Sequence, residues 1–440
     1  MSAVGGAPSL RLLEGGAGRA ARDAASQLSV TRSGVESRAE SARRDADTLR
    51  LLVVALCGFG LVMVLASSSV YSIVDYGTPW SLFEHQALYA VVGGVAFAVC
   101  ARIDHARVRR LVPLLVLATV LLLFAVLAPG LGKHVAGASR WIGAGPFTVQ
   151  PSELAKLVFA LYLADLGARR WRCRDPLREL FRPAALVLAV LALLVLLQPD
   201  MGTAVVFVCT ALGVLYALGL PRKLMLTAVG VAFLGGGAVA LVAPYRRARL
   251  LSFINPFAHA TTSGYQLVQS LAALGSGHLT GSGLGGSAAI WGWLPNAQTD
   301  YIFAIVGNQL GLVGAVVLVA AYAWLGWLGV RIAARAPDTF SSILATSLTC
   351  WLVAEALINI GGVIGIIPET GIPLPFLSSG GSSLVISLAG AGMLVGIARR
   401  SATGVVRSRA GAPARGRATV AARPGTGAAA ARRPRRSPAR

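Results

Sequence analysis

Ten long apolar stretches divide this chain, and they constrain its fold more than any other feature of the sequence. A helix needs about 20 largely apolar residues to cross the hydrocarbon core of a bilayer, and each stretch comes close to that length. We therefore predict an all-α polytopic membrane protein with ten transmembrane helices. The predicted helices span residues 49–69, 84–101, 110–129, 151–167, 184–198, 203–220, 224–244, 301–325, 340–360 and 380–398.

Composition supports a membrane protein and argues against one that binds nucleic acid. Apolar residues make up 55% of the chain and charged residues 13%, whereas soluble domains carry about 25% charged residues. A net charge of +22 would suggest a nucleic-acid partner for a soluble protein. The arginines lie mostly outside the apolar stretches, so we predict no such partner. The cysteines show no paired spacing of the kind that zinc sites and disulfide frameworks use.

Basic residues predict how the helices are oriented, because short loops rich in Lys and Arg stay in the cytoplasm. With both termini in the cytoplasm, every inner loop is basic. The two longest outer segments, 130–150 and 245–300, hold few basic residues for their length, and the second is a large outer loop between helices 7 and 8. The inner loops carry Arg102, Arg107, Arg109, Arg110, Arg169, Arg170, Arg172, Arg174, Arg178, Arg182, Arg222, Lys223, Arg331 and Arg335.

The two ends of the chain are expected to lie outside the ten-helix membrane domain of residues 49–399. Residues 1–48 are rich in Ala, Ser, Arg and Asp and contain no apolar run of signal-peptide length. We predict that they form a disordered cytoplasmic segment without a cleaved signal. Residues 400–440 are rich in Arg, Ala, Gly and Pro, a composition that cannot bury a core. This tail is predicted to be disordered in the cytoplasm and either to attract anionic lipid or to hold a specific partner site.

Four segments rich in polar residues, Gly and Pro lie on the predicted outer side, at 137–156, 198–204, 245–300 and 359–383. Four motifs lie in or next to these segments: GASRWIGAGPFTVQPSELAK at 137–156, RRARLLSFINPF at 246–257 followed by GYQLVQSLAALGSG at 264–277, LPNAQTDYIFAIVGNQLG at 294–311 and GIIPETGIPLPFLSSGGSS at 365–383. In these motifs the chain resembles the FtsW/RodA/SpoVE family of peptidoglycan glycosyltransferases. The resemblance extends from roughly residue 50 to residue 399. The chain is most similar to the FtsW type.

The resemblance implies a peptidoglycan polymerase that transfers disaccharide-pentapeptide units from lipid II into glycan strands. The reaction would take place at the outer face of the bacterial plasma membrane, during division or cell-wall growth. The implied partners are lipid II, a class B penicillin-binding protein transpeptidase and membrane proteins of the divisome or elongasome. Two alternatives stay open, a lipid II flippase and an inactive scaffold of the division or sporulation complex, because division, elongation and sporulation members share these motifs.

Asp300 is the candidate general base. It ends an outer loop just before an apolar helix, at the depth of a lipid-borne pyrophosphate, and the resemblance puts the family's essential carboxylate here. The alternative is a purely structural role, because a carboxylate in the first turn stabilises a helix by about 0.3 to 1 kcal/mol. A divalent cation, Mg²⁺ or Mn²⁺, is a candidate cofactor with no assigned ligands, and no organic cofactor is expected.

Six further residues are candidates for binding the substrate. Glu153 and Lys156 share one helix face and form either a structural ion pair or a contact to the substrate. Basic side chains in the outer loops suit pyrophosphate, although they could also lie at the interface or in solvent. Hydroxyls that open the tenth helix lie where free amides suit an anion, although a plain helix start explains them as well. The candidates are Arg140, Glu153, Lys156, Arg246, Ser379 and Ser382.

Three positions depart from the family pattern. Gln298 stands where many members have His, and Asn308 and Gln309 stand where they have two Glu residues. A cation held partly by these groups would bind more weakly in this chain. The sequence therefore predicts less acidic support for Asp300 than its relatives have.

Overall fold

The structure, a computed structural model, describes the backbone of residues 9–410 except 130, 136–137, 145–146, 172, 243 and 288–293. Side chains are described for residues 36–403, except at those positions and at 134–139, 144–147, 239–240 and 242–246. The helices are α1 Ser9–Tyr76, α2 Ser81–Cys100, α3 His105–Leu127, α4 Pro151–Arg170, α5 Arg182–Leu197, α6 Met201–Ala217, α7 Arg222–Val242, α8 Pro244–Ile254, α9 Tyr265–Ser276, α10 Ile302–Ala334, α11 Thr339–Val363 and α12 Gly381–Ala410. A π-helical turn, Leu177–Phe181, precedes α5, and a short 3-10 turn, Phe257–His259, follows α8.

The helices confirm a multi-pass membrane protein. In the described part of the chain, seven helical segments are long and apolar enough to cross a membrane, and they belong to α1, α2, α3, α5, α10, α11 and α12. Helices α4 and α6 are not among these seven. Helix α4 is continuous but contains the charged residues Glu153, Lys156 and Asp165, and α6 is only 17 residues long. Each of the ten predicted stretches coincides with a helix, and the count of ten membrane crossings stays a prediction.

Two parts of the chain differ from the sequence prediction. The first is a small antiparallel sheet at 133–149, formed by β1 Lys133–Val135, β2 Ala138–Ala144 and β3 Phe147–Val149, so the described chain is mostly helical but not purely α. Strand β2 lies in the middle, and Ile142 pairs with Val149 across the second ladder. The sheet forms because this segment joins α3 to α4 across the end of the bundle, where its backbone needs hydrogen-bond partners.

The second difference concerns residues 1–48. Residues 1–8 lie outside the described part, but α1 begins at Ser9 and continues unbroken into the first membrane segment. Ala39, Ala42 and Ala46 recur at helical spacing and are buried, and Asp45 forms ion pairs with Arg331 of α10, at 3.1 Å, and with Arg335 directly after α10. A face of small residues and one ion-paired carboxylate therefore anchor this segment as a helix. At the other end of the chain, α12 continues to Ala410, and residues 411–440 of the predicted tail lie outside the described residues.

The bundle is built around α11 and α12, the two helices with the most buried spanning segments. Helix α11 packs against α4, α6 and α10, while α12 packs against α1 and α2. Large aromatic residues fill the centre, and the rings of Phe159 and Phe207 meet edge to face at 5.4 Å. Outer helix surfaces expose large apolar side chains, such as Phe233 and Leu226 of α7, as expected of surfaces that face lipid.

The bundle has two polar ends. We call the end with the small sheet, α8, α9 and residues 364–380 the loop face. Here Arg140 donates from Nε to the carbonyl of Gln198 at 3.0 Å, and the Ser379 N–H donates to the carbonyl of Gln298 at 2.8 Å. At the opposite end, which we call the terminal face, Asp165 pairs with Arg109. The four polar motifs thus converge at the loop face, which the basic-loop pattern predicts to be outside.

Helix α10 is broken at Gly311, where φ is 67° and ψ is −166°, a combination that only glycine adopts without strain. Residues of the loop 278–283 lie against the break. The N–H of Leu312 donates to the carbonyl of His278 at 3.0 Å, and the N–H of Ser282 donates to the carbonyl of Asn308 at 2.9 Å. The loop therefore satisfies backbone groups that the break releases inside an apolar environment.

Candidate active site

Asp300 lies in a cleft on the loop face, directly before the first turn of α10. The cleft is formed by the ends of α10 and α11, by α8 and α9, and by the extended segment 369–372. It is lined by Arg249, Gln266, Asp300, Tyr301, Asn359, Gly362, Val363, Glu369, Thr370, Gly371 and Ile372. Side chains from stretches far apart in sequence therefore surround one carboxylate.

The side chain of Asn359 fixes the backbone around Asp300. Its Nδ2 donates to the carbonyl of Asp300 at 2.8 Å and to the carbonyl of Ile372 at 2.7 Å. Helix α11 thereby joins the turn before α10 to the segment 369–372. Gly371 has a φ of +68°, and a Cβ at this position would lie 3.5 Å from Oδ2 of Asp300. The backbone of this segment thus approaches the carboxylate closely.

Burial and the neighbouring arginines shift the pKa of the Asp300 carboxyl in opposite directions. Burial raises its pKa to about 6 from a usual 3.8, because an ionised carboxylate loses hydration in the cleft. Arg249 and Arg140 lower the pKa, and the negative charges of Glu369 and Asp200 raise it again. The net result is a carboxyl that titrates close to neutral pH, as a general base requires.

Glu369 is a second carboxylate of the cleft, and the sequence analysis did not single it out. Its side chain is 12% exposed and pairs with Nε of Arg249 at 3.1 Å. The hydroxyl of Tyr301 donates a short hydrogen bond to its other oxygen, Oε2. Burial and the neighbouring Glu369 carboxylate raise the pKa of Tyr301, so the phenol stays protonated. The only signal in the sequence was the position of Glu369 inside the motif GIIPETG.

Arg140 reaches the same region from strand β2. Its Nε and Nη2 donate to the carbonyls of Gln198 and Pro199 at the end of α5, and its charge lowers the pKa of Asp300. These two bonds commit two of the five donors of a guanidinium. Arg140 is therefore oriented by the protein and close enough to act on the charge in the cleft.

A hydrogen-bonded cluster around Asp200 supports this side of the site. Asp200 caps α6, accepting from the N–H of Thr203 at 3.2 Å and from the hydroxyl of Ser152 at 3.2 Å. Gln150 donates from Nε2 to the same carboxylate at 3.3 Å, and its N–H donates to the hydroxyl of Ser382 at 3.3 Å. Ser382 is thus buried at the start of α12, while Ser379 contributes its backbone N–H to Gln298. Binding of substrate by either serine stays a prediction.

Glu153 and Lys156 lie in the interior and are not among the residues that line the cleft. Nζ of Lys156 is fully buried and pairs with Glu153 at 2.8 Å and with Glu355 of α11 at 2.6 Å. The indole N–H of Trp351 donates to the other oxygen of Glu355 at 2.6 Å. This arrangement matches the structural ion pair that the sequence left open, and it supplies the partner that Glu355 needs. Contact of Glu153 or Lys156 with substrate stays a prediction.

Arg246 belongs to α8, but its side chain lies outside the described residues. Two neighbours on the same helix are described. Arg247 is exposed, whereas Arg249 lines the cleft. Of these two described arginines, Arg249 is therefore the one that lines the cleft with Asp300.

The substituted positions 308 and 309 lie in the broken part of α10, away from the residues that line the cleft. Asn308 donates from Nδ2 to the hydroxyl of Ser276 at 2.7 Å and accepts from the hydroxyl of Ser282 at 3.1 Å. Gln309 is fully buried, and neither polar atom of its side chain has a partner among the described residues. Within the described part of the chain, no group of three or more His, Cys, Asp or Glu residues could hold a metal ion. A divalent cation stays a prediction, and no step below depends on it.

Known proteins resemble this chain over most of its length. Residues 47–403 match the cell cycle protein family that comprises FtsW, RodA and SpoVE. The chain is 39% identical over 356 residues to a probable peptidoglycan glycosyltransferase FtsW of Mycobacterium tuberculosis, covering 81% of this chain and 68% of the relative. It is 36% identical over 355 residues to stage V sporulation protein E of Bacillus subtilis, covering 80% of this chain and 96% of the relative.

A solved structure of a peptidoglycan synthase complex, which coordinates polymerization and crosslinking, also matches. It superposes with a TM-score of 0.67 at 28% sequence identity, over 80% of this chain and 97% of that one. The range matched by the family, residues 47–403, agrees with the resemblance, which extends from roughly residue 50 to residue 399.

Proposed function

The chain belongs to the FtsW/RodA/SpoVE family of cell cycle proteins, and from that membership we propose that it is a peptidoglycan glycosyltransferase. It polymerises lipid II, adding disaccharide-pentapeptide units to a glycan strand, with Asp300 as the general base. The single observation that carries the role of Asp300 is its position: a carboxyl whose pKa is raised to about 6, in a cleft it shares with Arg249.

In this mechanism Asp300 takes the proton of the acceptor sugar hydroxyl. At the same time the oxygen of that hydroxyl bonds to the anomeric carbon of the donor sugar. The bond from that carbon to the pyrophosphate breaks, and the leaving group gains negative charge. Arg249 and Arg140 are the cations whose charge already reaches Asp300. Fixed cations stabilise charge that develops in a transition state, so we assign both arginines to the pyrophosphate.

This function requires the loop face to lie outside the bacterial plasma membrane, with ten membrane crossings and both termini in the cytoplasm. The basic loops support that orientation. The matched synthase complex coordinates polymerization with crosslinking, which supports a class B penicillin-binding protein as the partner. Membrane proteins of the divisome or elongasome are further proposed partners.

A lipid II flippase is the second candidate, and the ion pairs argue against it. A flippase needs polar groups available along a path through the bilayer. Lys156 is held by two carboxylates, and Asp165, near the terminal face, pairs with Arg109 at 2.8 Å and Arg169 at 2.9 Å. These charges neutralise one another inside the protein, which favours the polymerase.

The deciding experiment is glycan-strand synthesis from purified lipid II by the protein with its cognate class B penicillin-binding protein. Asp300→Asn should lower the rate by about 10²- to 10⁴-fold, the range that general-base catalysis contributes. Asp75→Asn removes an exposed carboxylate near the loop-face end of α1 and should leave the rate unchanged. Equal rates for wild type and Asp300→Asn would remove the base assignment. A wild-type protein without product would favour the flippase or the inactive scaffold.

A further inference from the structure

We propose that Glu369 is a positioning residue of this site, which holds Arg249 and Tyr301 beside Asp300 and keeps Arg249 from forming an ion pair with the base. The inference rests on the proposed function, because it assigns a role to a residue that does not touch the reacting atoms. Glu369, in the segment 364–380, is then a second carboxylate that affects the protonation of Asp300.

The contacts of Glu369 use both of its carboxylate oxygens. Oε1 lies 3.1 Å from Nε of Arg249, and Oε2 accepts from the Tyr301 hydroxyl. Tyr301 directly follows Asp300 in the chain, and Arg249 belongs to α8. One carboxylate therefore joins two separate segments that line the cleft with the proposed base.

The Arg249–Glu369 ion pair affects Asp300 because Arg249 lies near the Asp300 carboxylate. The guanidinium is close enough to Asp300 to lower its pKa, and a bare Arg–Asp pair lowers the pKa of the carboxylate by about 1 to 3 units. A carboxylate neutralised by such a pair is a poor proton acceptor. Glu369 forms its own ion pair with Nε of Arg249, and the side chain of Arg249, 28% exposed, lines the cleft in which we place the pyrophosphate.

Among the described residues, four charged groups act on Asp300. Arg249 and Arg140 act on Asp300 as cations, and Glu369 and Asp200 act as anions. Asp200 is held by Thr203 and Ser152, so its charge is fixed by its own cluster. Glu369 is thus the anion that directly balances Arg249.

The test measures kcat and KM for lipid II as a function of pH in the complex with the class B penicillin-binding protein. In Glu369→Gln the amide can still accept from Tyr301, but the charge is gone. We expect kcat to fall about tenfold, and the acid limb of the kcat/KM profile to move to lower pH by about one unit, because Arg249 then acts on Asp300 alone. Tyr301→Phe removes the hydrogen bond and keeps the charge, so its acid limb should stay at the wild-type pH.

A complementary variant guards against misfolding of Glu369→Gln. Removing the cation in Arg249→Gln should move the acid limb to higher pH, and the added effect of Glu369→Gln in that background should shrink, since the two residues act through each other. The inference would be overturned if the acid limb stayed at the wild-type pH in both Glu369→Gln and Arg249→Gln. Strictly additive effects of these two substitutions in the double variant would overturn it as well. Full activity of Asp300→Asn would instead overturn the proposed base, so the two failures are distinguishable.

Discussion

At the scale of single residues, the pKa of Asp300 predicts how the reaction depends on pH. The carboxyl must be ionised to accept a proton, and its pKa is raised to about 6. The value of kcat/KM for lipid II should therefore be constant near neutral pH and fall about tenfold per unit below pH 6. Initial rates between about pH 5 and pH 8 measure this limb, with intrinsic fluorescence as the control for folding. A limb near pH 4, where an ordinary carboxyl titrates, would contradict the burial argument.

Lys156 offers a test of its own, because it balances two carboxylates that are buried with it. Lys156→Met leaves Glu153 and Glu355 without a cation, and breaking a buried pair in this way costs about 3 to 5 kcal/mol. We expect a large drop in the melting temperature in detergent. Lys223→Met removes an exposed lysine and should melt like the wild type. If Lys156→Met were as stable as the wild type but failed to bind lipid II, the role in substrate binding would be favoured.

Sequence reasoning reached these residues unequally. Asp300 could be found because it stands at the boundary between a polar motif and an apolar helix and because the family resemblance implies an essential carboxylate there. The pairing of Lys156 with Glu153 follows from helical spacing, but its partner Glu355 is 199 positions away. Glu369 went unnoticed for the same reason: a carboxylate gains its role from an arginine and a tyrosine on other segments, and spacing carries no information about such contacts.

At the scale of structural elements, the break in α10 makes Gly311 sensitive to substitution. A Cβ at this position would collide with the carbonyl of Leu279 and the N–H of Gly281, and the backbone conformation itself costs other residues about 1 to 3 kcal/mol. Gly311→Ala should therefore lower the melting temperature and the folded yield. Gly235→Ala on α7 meets open space and should be neutral or slightly stabilising. A melting temperature for Gly311→Ala equal to that of the control would contradict the described break.

Elements were predictable where one physical property dominates. The helices at the ten apolar stretches follow from hydrophobicity alone, since a backbone in lipid must satisfy its own hydrogen bonds. The sheet at 133–149 and helices α8 and α9 lie in polar loops, where the backbone can pair in several ways and tertiary contacts decide. The N-terminal part of α1 is polar overall, and its buried alanines pack only because α10 and α12 lie beside them.

At the scale of the whole molecule, the orientation in the membrane is a prediction that cysteine labelling can test. In a background whose native cysteines are replaced, Thr262→Cys on the loop face should react with a membrane-impermeant thiol reagent in intact cells. Arg178→Cys on the terminal face should react only after the cells are permeabilised. Both positions are exposed in the structure. The reverse pattern would place the proposed active site in the cytoplasm and remove the polymerase mechanism.

The architecture as a whole was more predictable than the cleft. Hydropathy and basic loops indicate the helices and their orientation, and the four motifs indicate which end carries the chemistry. How α8, α9 and the segment 369–372 close around Asp300 depends on contacts such as Asn359 with Ile372. Such contacts join a polar side chain to a backbone carbonyl of another segment, and they leave no periodic pattern in a sequence.

The two hydrogen bonds of Asn359 restrict how the cleft can open. Because one amide holds both the carbonyl of Asp300 and that of Ile372, these hydrogen bonds tie the base and the segment 369–372 to α11. The Arg249–Glu369 ion pair ties α8 to the same segment. We therefore expect a bulky lipid-linked sugar to enter more easily when this pair separates and α8 moves away.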